Sequence, residues 1–359
     1  MRKVLVSPWG GLGDIPRAQQ NALERAGCQC FEIKDVLKPG FQPDYAVLDW
    51  FDDWVGCTLL TVLKRCLLII MMRLKKVQMI YVVDRVARIH GNTPHLFLCL
   101  RRLLCKMSQR VVCCCDEGIN VIRSQIGERD YALIEEKIRV IMAPPVWIDS
   151  AKHPCLGHSY RDEMNATENE FVFLNLGFIS PYKNIDYLLD LAKAFLSEGL
   201  NAKFVIAGTA ESPSYLDHVL ERSKSLPNVK IINRYINTYE LVDFLRSADA
   251  ALLVHDTSKA MSSASLVFDA AIGVNVVCSS FAVIKDMPNG LLFQFSSEDR
   301  SYLPQELYRA ARDAYDEWNN DSNRYYRRAE ELSKYALSHW SQDSVARLWK
   351  NLFSELETK

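Results

Sequence analysis

Gly177 and Lys183 stand six residues apart in the stretch "FVFLNLGFISPYKNIDYLLDLAKAFLSEGL", Phe171 to Leu200, and are residue types that together handle phosphate. The stretch reads as an apolar strand, a turn holding Gly, Pro and Lys, and an amphipathic helix. Ile185, Leu188, Leu189, Ala192, Phe195 and Leu196 recur at the spacing of one buried helix face. Gly199 supplies the stop. A helix opening after such a turn presents unpaired backbone N–H groups, which bind anions, and the lysine adds a mobile point charge beside them. An ordinary strand-to-helix loop with a solvated lysine has the same pattern, so the rest of the chain decides. A second glycine-rich turn, "PWGGLGD" at Pro8–Asp14, places Gly11 and Gly13 after another strand. A dinucleotide fingerprint would need a third glycine where Pro16 stands, which sets a dehydrogenase aside.

The elements that must position these residues alternate along the chain. Val4–Ser7, Cys30–Ile33, Tyr45–Leu48, Met79–Val83, Val111–Cys115 and Arg139–Met142 read as short strands. The pattern restarts with Phe171–Leu176, Phe204–Gly208, Val229–Ile232, Ala250–Val254 and Val274–Cys278. Helical segments lie between them, one opened by the capping-box pattern "NTYE" at Asn237–Glu240. Apolar strands alternating with helices predict α/β architecture with parallel sheets covered on both faces. The polar segment His153–Glu170 reads as a linker. The expected organisation is a Rossmann-like domain over residues 1–155, a second over 165–338, and a closing helix over 339–359. Two doubly wound domains facing each other place ligands in a cleft at the carboxyl ends of the strands.

Composition fits that organisation. A chain of 359 residues is natural for two domains, and 49% hydrophobic with 24% charged residues is the balance of a soluble globular protein. The net charge of −1 hides an asymmetry: residues 1–155 hold 22 Lys/Arg against 16 Asp/Glu, the remainder 21 against 28. Between Lys64 and Arg110 there are eleven basic residues and one acid, Asp84, which predicts an anionic partner or surface. The start "MRKVLVSPWGGLGD" has no apolar leader pattern, and with eleven Cys this predicts a reducing, cytoplasmic compartment. Cys113–Cys115 lack metal-ligand spacing and read as small buried residues. No apolar run is long enough to cross a membrane; Cys66–Met72 is far too short.

Taken together, the motifs resemble the retaining nucleotide-sugar glycosyltransferases of family 4, which have the GT-B fold. "LGFISPYKNIDYLL" is similar to that family's strand–glycine–lysine–helix element, with Gly177 and Lys183 in place. "SADAALLVHDTSKAMSSASLVFDAAIGVNVV", Ser247 to Val277, resembles its donor-site segment. Gly10–Gly13 matches its N-terminal loop, and "HWS" at His339–Ser341 resembles the start of a C-terminal helix that crosses back onto the first domain. The resemblance implies a metal-independent hexosyltransferase whose donor is a nucleotide sugar, UDP-linked, with no cofactor. Cleavage of the anomeric bond leaves charge on the diphosphate, which fixed dipoles and cations must neutralise. Lys183 is the candidate cation. Ser262, Ser263, Ala264 and Ser265 would let the phosphates approach a helix start, and Asp269 would accept hydrogen bonds from the ribose. The family's arginine beside the motif glycine is Phe178 here, and its first donor-site glutamate is Met261. Asp84 follows a strand where the family often has a histidine, with Arg85, Arg88 and His90 near it. Asp84 is carried as a catalytic candidate against the alternative of a turn-capping acid. Asp52–Asp53 reads as a loop or acceptor-site rim, not a metal signature.

"TLLTVLKRCLLIIMMRLKKV", Thr58–Val77, supplies the acceptor side. Leu60, Leu63, Leu67, Ile70, Met71 and Leu74 form one helical stripe, with Lys64, Arg65, Arg73, Lys75 and Lys76 on the other half of the wheel. Such a helix lies on an anionic membrane or packs into a core with its basic face wet; both readings stand. The basic excess also suits a glycan acceptor carried on a polyprenyl pyrophosphate, in surface polysaccharide or glycoconjugate synthesis. Nucleic acid is not expected, because the patch lacks interleaved aromatics. Two alternatives remain: a sugar-nucleotide epimerase of the same fold, and a non-catalytic glycosyltransferase-like partner, favoured by Phe178 and Met261.

Overall fold

The computed structural model describes residues 1–8, 14–49, 51, 59–83, 95–142, 156–237, 239–255, 261–296 and 299–358. It divides into two compact units. The first comprises Met1–Val146, Lys259–Ser262 and His339–Lys359; the second comprises Trp147–Ser258 and Ser263–Ser338.

The first unit holds a six-stranded parallel sheet of β1 (Arg2–Ser7), β2 (Cys28–Glu32), β3 (Tyr45–Leu48), β4 (Gln78–Val83), β5 (Arg110–Cys113) and β6 (Ile138–Val140), in the order β2-β1-β3-β4-β5-β6. Its helices are α1 (Asp14–Arg25), α2 (Leu59–Leu74), α3 (His95–Met107), α4 (Asp116–Ile126) and the single turn α5 (Glu128–Tyr131). Strand β5 ends at Cys113, whose last partner is Val140 on β6. Cys114 and Cys115 therefore lead into α4 instead of extending the strand, and all three cysteines are buried.

The closing helix α12 (Gln342–Glu357) belongs to this unit. Ser341 caps it, its hydroxyl accepting from the Ser344 N–H at 3.3 Å. Val345, Trp349, Leu352, Phe353 and Leu356 join the core formed by Val4, Val6, Leu23, Val47 and Ile80. Each such side chain taken from water contributes about 1.5–3 kcal/mol, so the helix is held by its apolar stripe. Arg2 forks onto Glu357 at 2.6 and 2.8 Å, and Arg139 reaches Glu355 at 2.7 Å. Both pairs are partly exposed and add little beside that burial.

The second unit contains β7 (Phe171–Leu176), β8 (Ala202–Ala207), β9 (Val229–Ile232), β10 (Ala250–Leu253), β11 (Asn275–Ser279) and β12 (Phe293–Phe295), all parallel. Their order is β12-β11-β10-β7-β8-β9. From the other edge that is third, second, first, fourth, fifth, sixth, the doubly wound order whose direction reverses between first and fourth strands. All residues of β7, β8, β10 and β11 are buried, as strands covered on both faces must be. The helices are α6 (Ile185–Ser197), α7 (Pro213–Ser223), α8 (Leu241–Arg246), α9 (Ala264–Ile272), α10 (Leu303–Asn320) and α11 (Ser322–Trp340). Before α8, the Asn237 side-chain oxygen accepts from the Glu240 N–H at 3.1 Å while a Glu240 carboxylate oxygen accepts from the Asn237 N–H at 3.3 Å, the reciprocal pair of a capping box. Phe173 stacks on Phe204 at 4.9 Å and meets Phe195 edge-on, and Tyr315 and Trp318 of α10 close over Phe171.

The segment expected to be a linker differs. Its described part packs on the second unit: Met164 is buried, and the Arg161 guanidinium donates to the carbonyl oxygens of Thr167, Glu170 and Ser247 and to Asp249. One arginine thereby takes up two carbonyl oxygens of the segment that water would otherwise serve and ties it to Ser247 and Asp249.

Candidate active site

The reversal of strand order places the crevice of the second unit between β7 and β10, at their carboxyl ends. The turn after β7 is shaped by two glycines. Gly177 has φ +108° and Gly208, at the end of β8, has φ +140°. A Cβ on Gly208 would lie 2.2 Å from the carbonyl oxygen of Gly177, so only glycine lets the two loops run this close. Their backbones continue as a short ladder: Ile179 N–H donates to Thr209 O at 3.0 Å, and Glu211 N–H to Ile179 O at 3.0 Å. The Ser180 hydroxyl donates to the Glu211 carboxylate.

Pro181–Lys183 makes a single 3-10 turn, and Asn184, at φ +53°, turns the chain into α6. The Asn184 amide donates to Val254 O at 2.8 Å, and the Asn175 amide to Leu252 O at 2.7 Å. Both bonds cross from the β7 side to the β10 side, fixing the walls of the crevice against one another.

Lys183 is buried, and its ammonium donates to Leu176 O at 2.6 Å. A Cβ on Gly177 would stand 2.7 Å from its Nζ, so the glycine that turns the loop also makes room for the charge. Burial pulls the Lys183 ammonium down to about 8, opposed by the attraction of Asp269. Asp269, buried in the middle of α9, is pushed up to about 8 by burial, opposed by Lys183. Its Oδ2 has no hydrogen-bond partner among the described residues. Asp269 is therefore mostly protonated at neutral pH, and Lys183 keeps a charge that its neighbour does not fully offset, which is the arrangement expected where an anion is to be received.

His255, two residues past β10, is buried and held down to about 3 by burial and by Lys183, so its ring is neutral at physiological pH. Tyr182 stacks on it at 5.8 Å, Phe281 packs against it, tilted, at 5.7 Å, and the Ser279 hydroxyl donates to its carbonyl oxygen at 3.0 Å. A neutral, ring-clamped histidine leaves Lys183 without a competing cation. Ser263 caps the first turn of α9, its hydroxyl accepting from Leu266 N–H at 3.5 Å. The Ser262 hydroxyl is buried and has no partner among the described residues. The free N–H groups of that turn add partial positive charge at the same edge of the sheet.

Within the second unit, Gly177, Lys183, Ser263, Ala264, Ser265 and Asp269 lie on the elements that flank one strand-order reversal, whereas Ser262 belongs to the first unit. Lys183 is a buried, hydrogen-bonded group where a mobile point charge was expected, and it is not the solvated lysine of the alternative reading. Phe178 is 61% exposed beside Gly177, whereas Met261 is buried and belongs to the first unit. Gly11, Gly13, Asp84, Arg85, Arg88, His90 and the pair Asp52–Asp53 lie outside the described residues. Sequence reasoning missed His255, Tyr182, Asn184 and Gly208. Gly208 carried a signal, a glycine ending an apolar strand in the same position as Gly177; the lone histidine after β10 carried none. Among the described residues, no group of three or more His, Cys, Asp or Glu is placed to hold a metal ion.

On the acceptor side, Lys64, Arg65, Arg73, Lys75 and Lys76 fall into two sets. The Arg65 guanidinium donates to Phe51 O and lies over the Phe51 ring at 5.3 Å. Lys75 donates to Lys38 O and Phe41 O at 3.0 and 2.7 Å. These two tie the helix down. Lys64, Arg73 and Lys76 are exposed.

Residues 158–300, which include every part of this crevice, match the family described as Glycosyl transferases group 1. No curated protein matches the chain in sequence. Among solved structures, the chain is similar to Anabaena HepE in complex with UDP-glucose, with TM-score 0.69 and 12% identity over 100% of both chains. It is similar to sucrose-phosphate synthase from Thermosynechococcus elongatus, with TM-score 0.70 and 11% identity over 100% of both. Staphylococcus aureus TarM gives TM-score 0.56 at 14% identity, covering 77% of this chain and 50% of that one. These likenesses show the GT-B fold, two parallel α/β sheets with flanking helices. With a glycosyl transferases group 1 segment on that fold, the chain is a glycosyltransferase.

Proposed function

We propose that the protein transfers a hexose-type sugar from a UDP-sugar to a glycan acceptor, lipid-linked on the evidence of its basic first unit, with retention of anomeric configuration. The observation that carries this reading is Lys183, buried at the β7/β10 reversal beside an acid that is mostly protonated at neutral pH and leaves its charge largely uncompensated. An ammonium so placed meets a diphosphate without reorganising, and a preorganised charge in a dry site is worth far more than one in water. As the anomeric C–O bond breaks, its electron pair goes to the diphosphate oxygen. The ammonium of Lys183 and the N–H groups of the first turn of α9 stabilise the charge that collects there. Asp269 is assigned to the ribose hydroxyls, with its unpartnered Oδ2 as acceptor. Ser263–Ser265 keep the path to the backbone open. HepE, similar in fold, has been crystallised with UDP and with UDP-glucose, which supports UDP as the nucleotide.

On this reading Lys183 supplies the countercharge that other transferases take from a metal, and turnover persists in EDTA. The test is release of UDP from UDP-glucose and related donors with oligosaccharide and polyprenyl-phosphate-linked acceptors, for wild type and Lys183→Met. Acceptor-dependent release, at least about a hundredfold slower in the variant, is expected from loss of one charge-stabilising group. Equal rates would remove Lys183 from the chemistry. An epimerised nucleotide sugar formed without acceptor would replace transfer with epimerisation.

A further inference from the structure

Helix α2 turns its apolar stripe outward. Leu63, Leu67, Ile70 and Leu74 are 57%, 48%, 54% and 71% exposed, at intervals of four, three and four residues that put all four on one face. The side facing the domain is made by Ile69 and Met72, both buried, and by the anchored Arg65 and Lys75. Four large aliphatic side chains in one row, left to water, form a patch that soluble surfaces avoid. The residues around it share one sign. Lys64, Arg73 and Lys76 are exposed and form no ion pair among the described residues. No Asp or Glu occurs between Asp53 and Asp84, so nothing along this helix offsets them. Leu37, exposed at the end of the 3-10 turn Ile33–Leu37 that packs against α2, adds to the apolar surface on this side of the unit.

We propose that α2 is an interfacial helix that docks the first unit onto an anionic lipid bilayer. Leu63, Leu67, Ile70 and Leu74 enter the acyl boundary, and Lys64, Arg73 and Lys76 meet lipid phosphates. The charge pattern selects this occupant. A second copy of the chain would bring two basic rims together, whereas an anionic bilayer offers apolar depth and negative charge over the whole length of the row. The helix is too short and too charged to cross a bilayer, and no helix among the described residues is long and apolar enough to do so. The surface shares no residue with the crevice of the second unit, so docking stands or falls apart from the catalytic reading.

The experiment is flotation of the whole protein with vesicles of phosphatidylglycerol and phosphatidylcholine, and with phosphatidylcholine alone. The variants are Leu67→Ser/Ile70→Ser and Lys64→Gln/Arg73→Gln; all four side chains are exposed, and circular dichroism with UDP release checks that each variant is folded. Wild type is expected on the anionic vesicles, with partitioning lowered at least about tenfold by the serine pair and about tenfold by the glutamine pair. Binding to neutral vesicles is expected to be weaker, and raised salt is expected to reduce binding to the anionic ones. Failure of wild type to float, or flotation unchanged in both variants, overturns the proposal. Self-association that the serine pair abolishes, with no vesicle binding, also overturns it and gives the stripe to a second copy.

Discussion

Replacing Lys183 by Met is expected to make the ligand-free protein more stable. The ammonium is drawn down to about 8 from an ordinary 10.5, which means that folding disfavours its charged form. At about 1.36 kcal/mol per decade of proton affinity, that is a cost of about 3 kcal/mol at neutral pH. Met keeps the chain length and removes the charge, but leaves Leu176 O without its donor, a loss of about 1–2 kcal/mol. The net expectation is a second unit more stable by about 1–2 kcal/mol at pH 7. The pH dependence gives the sign. Because the folded value lies below the unfolded one, the cost is fully present below about 8 and fades as pH rises toward 10.5. By pH 9.5 about 2 kcal/mol of it has gone, because Lys183 is then mostly neutral in the folded protein. The advantage of Lys183→Met should therefore vanish or reverse there. Urea unfolding of both proteins at pH 7 and 9.5, following the transition of the second unit, reads this directly. A variant destabilised by more than about 2 kcal/mol at pH 7, or an advantage that grows with pH, would refute the reasoning and make Lys183 a structural prop.

Other outcomes follow from the same geometry. Gly177→Ala, at φ +108° with its Cβ 2.7 Å from Nζ, should cost about 2–4 kcal/mol and displace the ammonium, seen as lower stability together with weaker UDP binding. Gly208→Ala, whose Cβ would meet the Gly177 backbone, should be worse and prevent the second unit from folding; a stable variant would contradict the loop contact. Asp269→Asn changes the pH profile: a carboxyl raised to about 8 favours the fold below its ordinary value near 3.8 and loses that contribution as pH rises. Wild type should therefore lose stability relative to the variant between pH 4 and about 8, and parallel urea profiles would remove the burial argument. Arg161→Ala, which strips donors from three carbonyl oxygens and Asp249, should lower the stability of the second unit by about 2–4 kcal/mol. Calorimetry that finds less than about 0.5 kcal/mol would show the 158–170 segment held by other contacts.

The two sheets and the Gly177–Lys183 turn were legible in the sequence because their signals are local. Phe171–Leu176 is an unbroken apolar run, α6 has a clean helical period, and the turn glycines mark the junction. The state of Lys183 was not legible. Burial depends on the loop after β8 closing over the turn, a contact made through Gly208 some thirty residues away in the chain. His255 escaped notice for the same reason, since only pairing of β10 with β7 sets it beside Lys183. Helix α2 shows a different limit. Periodicity identified the leucine row, and nothing in a single sequence says which side of a helix meets the sheet. Here Ile69 and Met72 do, so the longer apolar row faces out. The expected linker misled because a polar composition was taken for a solvated chain, when Arg161 and the segment's own turns satisfy part of its backbone.

Lys183 is the group proposed to receive a diphosphate. Isothermal titration of UDP and of uridine into wild type and Lys183→Met at pH 7 tests it most directly. The account predicts that wild type binds UDP, that the variant binds it about ten- to a hundredfold more weakly, and that uridine, lacking phosphate, does not distinguish the two. UDP bound equally by both proteins, or by neither, would contradict it.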